Sequence, residues 1–170
     1  MINSRKSLLT LVVAVMIGIV SGCGGSNAVP VKGTVILPED IQLKGQDSIQ
    51  LLFHPSDEKA TKGSAVARPK MSNDPKQMEQ TGPPEPFTVM TGADKGLPPG
   101  NYKISAKLEV YGNFAGSSNQ MPPGMVDDTP AGQFNSKYNV KQTPLSYTVT
   151  SGANEIVIDL KSGSVTAVKK

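Results

Sequence analysis

The stretch Leu97-Pro98-Pro99-Gly100-Asn101-Tyr102-Lys103-Ile104-Ser105-Ala106-Lys107-Leu108-Glu109-Val110 decides the fold. From Tyr102 onward, Tyr102, Ile104, Ala106, Leu108 and Val110 alternate with Lys103, Ser105, Lys107 and Glu109. A period of two places one set of side chains on a buried face and the other in water, which is the signature of a half-buried strand. The two prolines and the glycine ahead of it form a tight turn that delivers the Tyr102 ring into the core with its hydroxyl free to bond backbone.

The same alternation recurs along the chain. Leu145, Tyr147 and Val149 alternate with Ser146, Thr148 and Thr150, and Ile156, Ile158 and Leu160 follow the turn Ser151-Gly152-Ala153-Asn154, so these two runs read as a β-hairpin. Val29 to Leu37, Ser48 to Phe53 and Phe87 to Met90 are further strand candidates, and no window shows helical periodicity. With 17 Gly, 14 Pro and 5% aromatic residues, the composition favours short strands, many turns and an aliphatic core. The reading is an all-β protein: a small β-sandwich of about six to seven strands over residues 29–161, followed by a polar tail, 162–170. Two polar segments, 55–86 and 112–143, read as long loops. If six strands alternate in direction, both loops leave at the end where the first strand begins.

Upstream of the domain, Arg5 and Lys6 precede thirteen uncharged residues, Leu8 to Val20, and then Ser21, Gly22 and Cys23. Thirteen residues rise about 20 Å as a helix, too little for about 30 Å of hydrocarbon, so residues 1–22 read as an export signal and not as a membrane span. Val20-Ser21-Gly22-Cys23 resembles the bacterial lipobox, in which small residues fit the lipoprotein signal peptidase and the cysteine thiol receives a diacylglyceryl group. That resemblance implies that Cys23 is the first mature residue, that residues 23–28 form a short tether, and that the exported chain is lipid-anchored to a membrane of the cell envelope, at the outer membrane or the periplasmic face. Losing Arg5 and Lys6 brings the formal charge of +3 down to +1, and no basic patch interleaved with aromatics argues for nucleic acid.

Pro30-Val31-Lys32-Gly33-Thr34-Val35, the Leu97–Ile104 turn and strand, and Lys137-Tyr138 through Pro144–Val149 to Asn154–Ile158 together resemble small bacterial lipoproteins with a carboxypeptidase regulatory-like, prealbumin-like β-sandwich. The resemblance covers most of the chain after Cys23, Leu-Pro-Pro-Gly-x-Tyr being its most specific part, and the size of the 55–86 segment departs from it. It implies a fold and an address, and no catalytic residue.

Chemistry is sparse. One cysteine and one histidine exclude an internal disulfide and any metal site needing several Cys or His ligands. No P-loop, G-x-S-x-G, H-E-x-x-H, C-x-x-C or dinucleotide fingerprint is present, so no cofactor is expected. His54, on the strand face opposite Ile49, Leu51 and Phe53, reads as a solvated or capping residue. Met71, Met78, Met90, Met121 and Met125 offer thioethers to copper(I), and Asp127, Asp128 and Asn135 oxygens to calcium, but neither set has a ligand spacing, and loop packing is the better reading. The expectation is a non-enzymatic, lipid-anchored envelope protein whose sandwich is a structural or interaction module with an envelope protein as partner. The alternative is a carbohydrate- or small-ligand-binding module in which Tyr111, Phe114, Phe134 and Tyr138 stack on a glycan.

Overall fold

The computed structural model describes residues 27–57, 62–69, 81–92, 94–110 and 128–168. In chain order the elements are β1 (Val31–Ile36), β2 (Ser48–Pro55), β3 (Gly63–Ala67), β4 (Phe87–Thr88), β5 (Met90–Thr91), β6 (Asp94–Lys95), β7 (Gly100–Glu109), α1 (Pro130–Lys137), β8 (Ser146–Val149), β9 (Asn154–Asp159) and β10 (Ser164–Ala167). They form two sheets, one of four strands in the order β10-β9-β1-β4 and one of six in the order β6-β5-β3-β2-β7-β8. The protein is an all-β sandwich. Between the sheets lie the inward residues of the alternating runs, among them Val31, Ile49, Leu51, Phe53, Ile104, Leu145, Ile156 and Ile158, all essentially inaccessible to water. Gly33 faces the same core because a Cβ there would stand 2.5 Å from the Ile156 carbonyl and 2.7 Å from the Phe87 ring.

Tyr102 sits as expected. Its ring is buried and its hydroxyl donates to the Pro98 carbonyl at 2.9 Å, which ties the start of β7 to its own turn. The rest of β7 is completed along one edge by a succession of different partners. β8 pairs with residues 100–103, the Leu145 carbonyl accepts from Ile104 N–H, and the Tyr138 carbonyl accepts from Ala106 N–H. At the far end the Asn135 side chain takes the place of a strand, accepting from Leu108 N–H at 2.7 Å and donating to Leu108 O at 3.2 Å.

Four expectations are corrected. The 55–86 segment contains β3, whose inward positions are Gly63, Ala65 and Ala67, while its only large apolar residue, Val66, points outward. Small residues carry too little hydrophobic contrast for the alternation to stand out. The 112–143 segment contains α1, started by Thr129, whose side chain accepts from Gly132 N–H, with Pro130 in the first helical turn. The C-terminal stretch is not a free tail, since β10 pairs antiparallel with β9 from Ser164 to Ala167. The runs 145–150 and 156–160 are not a hairpin: β8 pairs with β7 in one sheet and β9 pairs in parallel with β1 in the other.

The direction of the loops also differs from the expectation. Val29 and Leu97 exchange backbone hydrogen bonds, Ser56 N–H donates to Asn101 O, and Gly100 pairs with Val149, so β1 begins at the end where β2 finishes and β7 starts. β3 then carries the chain back along β2 to the opposite end, where Pro69 bridges Pro84 and Lys44 bridges Thr81. The ends of β7 and of β9 lie there as well, with α1. Residues flanking 70–80 and 111–127 therefore stand about 30 Å, the length of β7, from the start of β1. One uncounted strand reversed the parity; of the long segments, only the flanks of 58–61 lie where both were expected.

Candidate functional site

The strand register assembles a polar site on the outer face of the six-stranded sheet, near the end where β1 begins. His54 lies opposite Lys103 on β7, which lies opposite Ser146 on β8. On the other side Phe53 pairs with Gly63, so Lys62 comes level with His54. The result is one cross-strand row, Lys62, His54, Lys103, Ser146, with an imidazole between two ammonium groups. Beside it runs a second row, Ser56, Asn101 and Thr148, in which Thr148 Oγ1 donates to Asn101 Oδ1 at 2.7 Å. A shallow groove of about 570 Å³ lies at the β7–β8 end of these rows; its lining includes Ser56, Asn101, Lys103, Ser146 and Thr148 together with Val165 of β10, contains no Asp or Glu, and stops short of His54 and Lys62.

His54 is half-buried, and its Nε2 lies 2.9 Å from Ser105 Oγ, a hydroxyl almost removed from water. Partial burial, and then the charges of Lys62 and Lys103, hold its pKa below the ordinary imidazole value. The ring is therefore neutral at pH 7. A base whose pKa is depressed by folding binds fewer protons in the folded than in the unfolded chain around pH 5 to 6.5, so it leaves stability intact above the unfolded pKa and erodes it as pH falls. Urea unfolding midpoints measured from pH 8 down to pH 5 are expected to fall, and in His54→Gln this component of the slope disappears; an unchanged slope would mean that His54 is not in this field.

Lys103 Nζ donates to the Lys141 carbonyl at 3.3 Å, and an ammonium has three protons, so two are left for other acceptors. Like charges opposed across a sheet are unfavourable by themselves. The described part of the site thus has donors and positive potential without a matching carboxylate in its groove.

Of the aromatic residues expected to contact a glycan, the two described ones, Phe134 and Tyr138, form no platform. Phe134 and Tyr138 are 5% and 1% exposed, their ring centroids are 4.9 Å apart, and the Tyr138 hydroxyl bonds the Leu160 carbonyl, so both belong to the core. They anchor α1, and a ring sealed between sheets cannot stack on a sugar. Tyr111, Phe114, Met71, Met78, Met121, Met125 and Asp127 lie outside the described residues, as do Cys23 and the preceding Val20, Ser21 and Gly22. Met90 is half-buried on β5, and Asn135 is committed to Leu108. Sequence reasoning put His54 on the outward face but did not connect it with Lys62 or Lys103, which lie 8 and 49 positions after it, just ahead of β3 and on β7. Comparison with family models, curated proteins and solved structures finds no match for this chain.

Proposed function

We propose that this chain is a non-enzymatic lipoprotein of the bacterial cell envelope, anchored through Cys23, whose sandwich is an interaction module similar to the carboxypeptidase regulatory-like domains. The observation that carries this reading is the position of the chain's entry into the fold. Asn27 leads into the Val29–Leu97 pair at one end of the sandwich, and four peptide units separate it from Cys23. Extended chain spans at most about 3.6 Å per residue, so that end stands within roughly 20 Å of a membrane holding the cysteine's lipid. Two acyl chains on one residue suffice for stable attachment. The opposite end, with α1 and the flanks of 70–80 and 111–127, is then held outward, toward partners in the envelope. This reverses the orientation in which the long segments face the bilayer.

Cys23→Ser tests the anchor. Full-length protein made in a bacterium is expected to carry diacylglyceryl on Cys23 by mass spectrometry and to partition into detergent; the variant is expected to accumulate as unprocessed precursor lacking the lipid mass. A variant processed like the parent, or a parent without lipid, would remove the anchor reading.

A further inference from the structure

We propose that the Lys62–His54–Lys103 row, with the Ser56, Asn101, Ser146 and Thr148 side chains beside it, is a binding site for a phosphate group. Three observations converge on it. Adjacent strands stand about 4.8 Å apart, so the Lys62 and Lys103 backbones are about 10 Å apart with His54 midway, a span over which two lysine side chains can close on one tetrahedral anion. The groove at the Lys103 end of the row supplies neutral donors, the hydroxyls of Ser56 and Ser146 and the amide N–H groups of Asn101, whose oxygen Thr148 already occupies, and its lining contains no carboxylate to compete for the Lys103 ammonium group. The ion pairs of Lys107 with Glu109 and of Lys161 with Glu39 lie toward the other end of the sandwich and take neither Lys62 nor Lys103. Asp57, beyond the end of β2, is the nearest carboxylate along His54's own strand, and the groups acting on the ring from neighbouring strands are Lys62 and Lys103. A phosphate oxygen between the two lysines offsets their mutual repulsion and would favour protonation of His54, which the lysines disfavour. It also leaves the Ser105 contact of the ring in place.

The site does not depend on lipidation. Its nearness to the entry of the chain makes the headgroup of an anionic phospholipid one source of the phosphate; a free or glycan-borne phosphate is the other. The shared chemistry is a phosphate monoanion or dianion.

The single histidine reports on the site without ambiguity. The full-length protein, labelled with 15N-histidine and held in non-ionic detergent, is titrated from pH 5 to 8 in chloride, in inorganic phosphate at matched ionic strength, and with added phosphatidylglycerol or phosphatidylcholine vesicles. A phosphate within about 6 Å raises the imidazole pKa by about one unit or more, and matched ionic strength separates this from simple screening of the lysines. A rise in inorganic phosphate identifies a site for the free anion, and a rise with phosphatidylglycerol alone identifies a headgroup site; either supports the proposal provided it is lost in the Lys62→Gln, Lys103→Gln double variant and kept in Lys161→Gln, which lies at the other end. No rise in any condition, or a rise that survives the double substitution, overturns it. Mass spectrometry of Cys23 in the same sample distinguishes failure of this site from failure of the anchor.

Discussion

Tyr102→Ala is expected to lower the unfolding free energy by about 3 to 5 kcal/mol, the range seen when a buried aromatic is truncated and the cavity cannot collapse. Tyr102 is 2% exposed, and its ring stands at the junction of three things: the Pro98-Pro99-Gly100 turn, the first residues of β7, and Tyr147 opposite on β8. Its hydroxyl also holds the Pro98 carbonyl, four residues back. Truncation therefore removes core volume and releases the turn next to the Val29–Leu97 pair through which β1 is tied to the other sheet. Gly96 makes that tie close: its φ is 119° and a Cβ would stand 2.1 Å from the Val29 carbonyl. Tyr102→Phe separates the two contributions, since it keeps the ring and loses a hydrogen bond worth about 1 kcal/mol. The measurement is urea unfolding followed by far-ultraviolet circular dichroism; a near-neutral alanine variant would mean that this ring is not a core residue.

What was legible in the sequence was local. The inward faces of β1, β2, β7, β8 and β9 follow directly from Val31 and Val35, from Ile49, Leu51 and Phe53, and from the longer runs, because alternation between large aliphatic and polar residues needs no partner to be recognised. β3 was not legible because Ala65 and Ala67 suffice where the facing sheet comes close, and alanine next to serine has little contrast. The helix had a readable sign in Thr129-Pro130, a capping residue followed by a proline suited to the first turn, but eight residues with one buried side chain, Phe134, show no periodicity. The Lys62–His54–Lys103 row was not legible at all. It is made by register between strands, and a one-residue slip of β2 against β7 would turn His54 inward and dissolve it. Phe134 and Tyr138 admit two readings in the sequence, anchors that pin a polar segment to the domain or rings that stack on a glycan, and their burial decides for the anchors.

The sharpest test of the topology is Asn154→Ala, for which a loss of about 3 kcal/mol is expected. Asn154 is 4% exposed, and its side chain sits inside the bend that carries the chain from one sheet to the other. Its Nδ2 donates to Thr150 O at 3.0 Å and Gly152 O at 2.7 Å, while its Oδ1 accepts from Thr150 N–H at 3.0 Å and the Tyr147 hydroxyl at 3.1 Å. In a hairpin these backbone groups would pair across the two strands. Here β8 and β9 belong to different sheets, no ladder is available, and the amide serves both strand ends instead. Removing it empties a buried position and breaks four part-buried hydrogen bonds, to the Thr150 and Gly152 backbone and the Tyr147 hydroxyl, each worth about 1 kcal/mol before water replaces it. Asn154→Asp isolates the donor half of the role. The carboxylate still accepts from Thr150 and Tyr147 but faces the Thr150 and Gly152 carbonyls without a proton to give. Those carbonyls and the burial raise the pKa of the introduced acid in the folded state above its unfolded value, so the folded chain binds the extra proton first and the variant regains stability relative to the parent as pH falls toward 4. Had residues 145–160 formed a hairpin, position 154 would be an exposed turn residue, alanine would cost a few tenths of a kcal/mol, and the aspartate would titrate normally. The two topologies thus differ in the size of the alanine effect and in whether the aspartate variant gains stability on acidification.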